Sequence, residues 1–96
     1  MSMVMSILEG ELPPDKAAKL EANFADGAKA LEPGMLQTFL VRNGAKCRII
    51  TLWESKEAYS VMKSHGVPKQ VLMFRYAGVE ASGLVYDVVN SAVKGK

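Results

Sequence analysis

Apolar residues fill both alternating positions of the strands that this sequence predicts, and this feature limits the fold more than any other. The predicted first strand, Met3–Glu11, is largely apolar at both parities, and the predicted last strand, Leu84–Val93, is similar but interrupted by Asp87 and Asn90. An antiparallel sheet with one face in water alternates apolar and polar residues instead. At about 25 cal/mol per Å², exposing such a face would forfeit several kcal/mol, comparable with the stability of a small domain. We therefore expect both faces of the sheet to be covered.

A helix is predicted after the first strand. Pro13 and Pro14 break the strand, and proline suits a first helical turn because its missing N–H would have no partner there. We expect the helix to end at Glu32, since Pro33 cannot continue it and Gly34 permits a reversed turn. Apolar residues recur between these points at spacings of three and four, which predicts about four turns: Ala17, Leu20, Phe24, Ala28 and Leu31.

A β-hairpin is predicted next. Two extended runs, Met35–Arg42 and Lys46–Trp53, are rich in β-branched and aromatic residues. The dipeptide Asn43-Gly44 between them is the one that best suits a tight turn, so we expect the two strands to pair there.

Two more helices are predicted after the hairpin. Ser55 is a suitable N-cap for a helix from Lys56 to about Ser64, and Gly66 can provide its left-handed end. The run Lys69–Tyr76 fits a short helix or a strand about equally well, and we predict a helix.

This order of elements is the βαββαβ order of the ferredoxin-like α+β fold, in which the helices cover one face of a four-stranded antiparallel sheet. A chain of 96 residues suits a single core, so we expect one domain over residues 1–96. The helices leave the second face of the sheet uncovered. A homodimer, with two sheets packed face to face, would cover it.

Charge and hydropathy exclude several classes of function. The 12 basic and 10 acidic residues give a net charge of +2 and are spread along the chain, apart from Lys94 and Lys96 at the end. A nucleic-acid-binding protein would more often concentrate basic residues and aromatics on one element, so we expect no nucleic-acid partner. The run Met1–Leu8 reaches Glu9 too early for a signal peptide or a membrane span, so we expect no membrane partner.

Cysteine and glycine patterns add two further expectations. The single cysteine, Cys47, excludes an internal disulfide and fits a reducing compartment, which favours the cytoplasm. We interpret it as a small buried residue, because no nucleophile-elbow motif flanks it. The 8 glycines are scattered without phosphate-cradling or dinucleotide-binding spacing, so nucleotide binding has no support.

The single histidine, His65, has no second histidine, cysteine or paired carboxylate at ligand spacing, so we expect no metal site. It precedes Gly66 at a predicted helix end, where a cation interacts favourably with the helix dipole. A role in a pocket or as a haem ligand is the alternative.

Aromatic residues are the most informative candidates. Trp53 closes the third strand and Tyr59 follows on the next helix. The stretch Ile49–Tyr59, a strand that ends in Trp-Glu-Ser and opens a helix, resembles the antibiotic-biosynthesis-monooxygenase-like domains of the dimeric α/β barrel superfamily. The resemblance implies a barrel shared by two four-stranded sheets, with a pocket between each sheet and its helices. Members of that family include cofactor-independent oxygenases of polycyclic phenols, quinol oxygenases and haem-degrading enzymes.

The resemblance also implies site residues. Phenol-oxidising members would have a tryptophan at this strand end, an asparagine four residues earlier, a tyrosine six residues later and an arginine further along. Trp53 and Tyr59 match, Ile49 stands at the asparagine position, and Arg75 is the approximate candidate for the arginine. In the haem-degrading branch, a second tryptophan would be expected where Met62 stands.

Two functions follow from these residues. The first is a monooxygenase that acts on a phenolic or hydroquinone-type aromatic substrate without a cofactor or metal, because the substrate itself reduces oxygen. The predicted catalytic residues are Trp53, Tyr59 and Arg75. The predicted substrate-binding residues are His65, Phe74 and Tyr86. The second function is a non-catalytic dimeric module that binds a small hydrophobic metabolite in the same pocket.

Overall fold

The computed structural model describes residues 2–95, which form one four-stranded antiparallel sheet and three helices. The strands lie in the order β2-β3-β1-β4, which confirms the predicted ferredoxin-like α+β fold. The run that fitted a helix or a strand equally well is a helix, as predicted. The elements are β1 (Val4–Glu11), α1 (Pro14–Gly27), β2 (Met35–Asn43), β3 (Lys46–Trp53), α2 (Lys56–Ser64), α3 (Lys69–Tyr76) and β4 (Ser82–Asp87).

Helix α1 is shorter than predicted, because it ends at Gly27 and not at Glu32. The Ala28 N–H still donates to the Phe24 carbonyl at 2.8 Å, but the chain then leaves the helix. Glycine disfavours a helix interior, and a Cβ at Gly27 would collide with the methyl group of Met73 on α3. The prediction of a longer helix was therefore wrong, because apolar spacing alone carries no information about this close approach.

The hairpin is confirmed, with its turn one residue later than predicted. Asn43 is the last residue of β2 and pairs with Lys46, so Gly44 and Ala45 are the two turn residues. Gly44 has a φ of 62°, a value that favours glycine, and it occupies the first central position of the turn.

Strand β4 ends at Asp87, whereas the sequence predicted a strand to Val93. Asp87 pairs with Val4, the first residue of β1, and one further hydrogen bond joins the Val88 N–H to the Met3 carbonyl at 2.9 Å. Because β1 begins at Val4, β4 has no paired β1 strand residue beyond Asp87, and the predicted end at Val93 was wrong. Val89 and Val93 are exposed in consequence.

The core lies between the sheet and the helices, on what we call the helix-covered face. Its packing is close where Phe74 of α3 meets Gly10 of β1, since a Cβ on Gly10 would lie 3.0 Å from the Phe74 ring. Cys47 is buried in this core, as expected, and its burial raises the pKa of its thiol. The core cluster consists of Leu12, Ala17, Leu20, Cys47, Ile49, Phe74 and Ala77.

The opposite side of the sheet, which we call the open face, has no helix over it. Strand register places Phe39, Ile50, Ile7 and Leu84 in one row across the four strands. Phe39 is 47% exposed and Leu84 is 59% exposed. The open face consists of Met5, Ile7, Phe39, Val41, Ile50, Leu52, Leu84 and Tyr86, with a charged cluster of Glu9, Lys46 and Arg48 at one end.

Within residues 2–95, none of the helices has both the length and the apolar character that crossing a membrane requires.

Candidate functional site

Trp53 is held rigidly at the end of β3. Its side chain is fully buried, and its indole N–H donates to the hydroxyl oxygen of Ser6 on β1 at 3.0 Å. The Tyr59 ring packs against it edge to face, with ring centroids 5.7 Å apart. The strand and the following helix thus bring together the two aromatic residues that the sequence singled out.

Helix α2 presents Tyr59 and Lys63 on the same side. Ser55 caps the helix as predicted, since its hydroxyl oxygen accepts from the Ala58 N–H at 3.0 Å. Residues four apart are neighbours on a helix surface, and the Lys63 ammonium lies 5.6 Å from the centroid of the Tyr59 ring. A tyrosine hydroxyl and a cation therefore come from one face of one helix turn.

A cavity of about 310 Å³ lies between the helix-covered face and helices α2 and α3, and we call it the sheet–helix cavity. Its walls are largely apolar, with Leu8 and Ile49 from the sheet and Met62 and Val71 from the helices. Its polar lining residues are Ser6, Thr51, Tyr59, Lys63 and Gln70. Largely apolar walls with a few polar groups are typical of a small-molecule site.

The polar groups on the sheet side of the cavity are fixed by hydrogen bonds. Thr51 is 1% exposed, and its hydroxyl lies 3.0 Å from the hydroxyl of Thr38 on β2. Ser6 accepts from the Trp53 indole, so its own O–H is free to point elsewhere. Across residues 2–95, every buried side-chain nitrogen or oxygen has a hydrogen-bond partner.

The charge that lines the cavity is of one sign. Lys63 is the only charged residue among the described residues that line it, and no carboxylate is among them. A positive side chain over apolar walls favours a ligand that carries or develops negative charge.

Among the described residues, Tyr59 is the one predicted site residue that lines this cavity, and Trp53 contacts Tyr59 without lining it. The remaining four lie apart from it. Phe74 packs in the core, Arg75 is paired with Glu80 at 3.1 Å on the exterior of α3, and Tyr86 lies 53% exposed on the open face. His65 lines a different space. The functional roles given to these four residues stay predictions.

Sequence reasoning missed Ser6, Thr51, Lys63 and Gln70 as lining residues. Two of them carried a readable signal, because Thr51 shares the strand parity of Trp53, and Lys63 follows Tyr59 by one helix turn. Ser6 and Gln70 come from distant parts of the chain and meet the site through the sheet register and the placement of α3.

A second space of about 570 Å³ lies on the other side of α2, and we call it the α2 groove. It is lined by Glu32 to Gly34, by Glu54, by one side of α2 and by Val67 to Lys69. His65 lines this groove. Met62 and Pro68 line both the groove and the sheet–helix cavity.

Within residues 2–95, no three or more histidine, cysteine, aspartate or glutamate side chains are grouped so that they could hold a metal ion. Haem is a further group that the family resemblance of the sequence implies. The sheet–helix cavity is lined by neither histidine nor cysteine among the described residues, and the single histidine faces the α2 groove. The cavity residues therefore do not fit a histidine-ligated haem.

A family profile described as antibiotic biosynthesis monooxygenase matches residues 3–65, about two thirds of the chain. The chain belongs to this family. The match includes β1, β3 and α2, and hence Trp53, Tyr59 and Lys63. A search of curated proteins found no match.

Solved structures of several family members share the fold. The heme-degrader MhuD from Mycobacterium tuberculosis, solved with two hemes in its active site, is 29% identical over 94% of this chain and 99% of its own, with a TM-score of 0.67. SnoaB, a cofactor-independent oxygenase from Streptomyces nogalater, is 17% identical over 98% of this chain and 100% of its own, with a TM-score of 0.70. A putative antibiotic biosynthesis monooxygenase from Caulobacter crescentus is 23% identical over 93% of this chain and 92% of its own, with a TM-score of 0.69. Solved structures similar to this chain thus include both a cofactor-independent oxygenase and a haem degrader.

Proposed function

We propose that this protein is a cofactor-independent monooxygenase that oxidises an electron-rich phenol to a quinone in the sheet–helix cavity. The observation that carries the proposal is the cavity itself, an apolar space of about 310 Å³ whose charged lining residue is Lys63. Apolar walls suit an aromatic ring. The single cation suits the phenolate that must form before the ring can give an electron to oxygen.

The reaction balances without any other reductant. The phenol loses its hydroxyl proton, and the phenolate gives one electron to O₂, which leaves a phenoxyl radical and superoxide. Their combination forms a C–O bond at the carbon para to the phenolate oxygen. The peroxide then loses the hydrogen on that carbon as its O–O bond breaks, which gives a quinone and water. One oxygen atom enters the product and the other leaves as water.

Three residues in or beside the cavity have roles in this scheme. Lys63 stabilises the negative charge of the phenolate, and the Tyr59 hydroxyl donates to the phenolate oxygen. Trp53 acts as a positioning residue, because it holds Ser6 through its indole N–H and supports Tyr59 through the edge-to-face contact. Arg75 pairs with Glu80 and faces away from the cavity, so Lys63 takes the role of the cation in this scheme.

The functional unit in this proposal is a homodimer made through the open face. Its exposed apolar side chains, among them Phe39, Leu84 and Tyr86, form a continuous surface across the four strands. Monomeric proteins rarely leave a contiguous apolar patch of that kind in water. Pairing of the open faces would leave both sheet–helix cavities free to bind substrate.

Oxygen uptake with a panel of phenols and hydroquinones tests the proposal. Wild-type protein should consume O₂ with at least one electron-rich phenol, and Tyr59→Phe and Lys63→Met should each lower the rate roughly tenfold or more. Matched controls are Tyr76→Phe and Lys19→Met, which remove the same groups from exposed positions outside the cavity and should keep the wild-type rate.

Two results would contradict the oxygenase. One is the absence of oxygen uptake across the panel, and the other is equal loss of rate in the cavity variants and their controls. If phenols raise the melting temperature without any turnover, the protein is instead a binding module for a small hydrophobic metabolite.

Haem degradation is the second candidate, and the observation that favours it is the 29% identity to MhuD over 94% of the chain. Because the sheet–helix cavity has no histidine among its described lining residues, the ligand would be His65 in the α2 groove. The test is a titration with haem, followed by its absorbance spectrum in wild-type protein and in His65→Ala. A tight complex with a shifted Soret band would support this candidate. Absence of saturable binding would remove it.

A further inference from the structure

We infer that Met62 is a gate between the sheet–helix cavity and the α2 groove, and that it sets the length of aromatic ligand the protein accepts. The inference rests on the proposed function only in that the sheet–helix cavity is taken as the ring-binding site. When Met62 swings away, the two spaces become continuous, and a ligand longer than the cavity extends into the groove.

The partition between the two spaces is thin. Met62 of α2 and Pro68, which precedes α3, are the two residues among those described that line both spaces. The next two residues show where the boundary runs, since Lys69 lines the groove and Gln70 lines the cavity. The wall is therefore about one side chain thick.

Of the two shared residues, Met62 is the one that can move. The pyrrolidine ring fixes Pro68 with a φ of −59°, whereas methionine is unbranched and has three rotatable side-chain bonds. Met62 is half-buried and is not part of the core cluster. A change of its rotamer therefore disturbs little packing.

Helix α2 also leaves room for this movement. None of its nine residues is buried, although all of them are described. It is held by the Ser55 cap, by the contact of Tyr59 with Trp53, and by an exposed ion pair between Lys56 and Asp87 at 3.7 Å. These contacts hold the first turns of the helix, and Met62 lies beyond them, in its last turn.

The walls of the groove define the ligand that would use it. Val61 and Val67 provide exposed apolar surface, with 58% and 50% of each residue accessible. Glu32, Glu54 and Lys69 add charged groups to its lining. This combination suits a flat apolar extension of the ring system beyond the part held in the sheet–helix cavity.

Binding of a phenol series under nitrogen tests the gate without turnover. The probes are 1-naphthol, with two rings, and 1-anthrol, with three, and the signal is the fluorescence of Trp53, the only tryptophan in the chain. Met62→Ala should tighten the binding of 1-anthrol about tenfold and change the affinity for 1-naphthol less than twofold. Met62→Phe should weaken the binding of 1-anthrol by a similar factor, so the two variants should change the affinity for 1-anthrol in opposite directions.

Met73→Ala on α3 is the matched control, because Met73 lines neither space and should leave the ratio of the two affinities unchanged. Equal changes for both phenols in Met62→Ala, or the same ratio change in Met73→Ala, would overturn the gate, as would failure of both phenols to bind. A shifted ratio without oxygen uptake in air would support the gate and contradict the oxygenase. Oxygen uptake in air, with the ratio of the two affinities unchanged in Met62→Ala, would support the oxygenase and contradict the gate.

Discussion

The two faces of the sheet are built by the same four strands, yet they differ in what covers them. On the helix-covered face, Trp53, Ile49 and Cys47 of β3 are each at most 2% exposed. On the open face, Phe39 and Leu84 are about half exposed although they belong to the same sheet. The comparison shows that the apolar residues of one parity build a core with a cavity, and we propose that those of the other parity serve association between two copies of the chain.

The largest expected effect comes from a charge on the open face. Phe39→Asp should weaken the homodimer by about 3 kcal/mol or more, roughly a hundredfold in Kd, because the carboxylate would be buried without a partner. Sedimentation equilibrium measures the change. Leu31→Asp is the matched control, since Leu31 is 44% exposed but lies outside the sheet, compared with 47% for Phe39. Equal dissociation in the two variants, or a wild-type monomer at micromolar concentration, would contradict the division between faces.

On the helix-covered face, Trp53→Phe should lower the free energy of unfolding by about 2 kcal/mol, because it leaves a cavity and removes the donor to Ser6. For a domain of this size that corresponds to a fall of about 10 °C in Tm. Urea denaturation followed by circular dichroism measures it. Tyr76→Phe, at an exposed position, should change stability very little, and a similar loss in both variants would argue against the rigid site.

Loss of the Ser55 cap should have a smaller and more local effect. Ser55→Ala should destabilise α2 by about 1 kcal/mol, because the Ala58 N–H loses its acceptor. Amide hydrogen exchange should quicken in Lys56–Ser64 and stay unchanged in α1. Ser60→Ala, within the same helix, serves as the control, and faster exchange throughout the sheet would show that α2 is not an independent wall of the cavity.

The smallest effect concerns the charged end of the open face. A hydrogen bond from Arg48 at 2.6 Å holds the pKa of Glu9 below its ordinary value of 4.5, with Lys46 contributing further. Because the folded-state pKa is lowered, this stabilisation is present above the ordinary value and is lost as pH falls through the folded-state value. Acid denaturation should therefore be slightly less steep in Glu9→Gln than in wild type. Glu11→Gln should keep the wild-type slope, and identical curves for all three proteins would exclude the effect.

Much of the fold followed from the sequence because its signals were local. The hairpin at Gly44, the Ser55 cap and the order of elements depend on neighbouring residues, and the structure has them. The errors came from distant contacts. Helix α1 stops at Gly27 beside Met73 of α3, and β4 stops opposite Val4, where β1 begins. Neither neighbour is visible in the local pattern.

The candidate site was likewise predicted where its signals are local and missed where it depends on distant contacts. Trp53 and Tyr59 were found from a short stretch that spans one strand end and one helix start, and the structure places their rings in contact. Ser6 reaches Trp53 across 47 residues of chain, and the space for a ligand exists only where the sheet, α2 and α3 meet. Tertiary placement of that kind cannot be read from spacing along one element.

Oxygen-isotope labelling tests the central claim, an oxygenase in the sheet–helix cavity, most directly. Wild-type protein incubated with 1-naphthol or another accepted phenol under ¹⁸O₂ should form a quinone with one labelled oxygen atom, after correction for carbonyl exchange with water. One molecule of O₂ should be consumed for each quinone, and Tyr59→Phe should lower the yield in parallel with the rate. A quinone without the label, or release of hydrogen peroxide in place of water, would contradict the account.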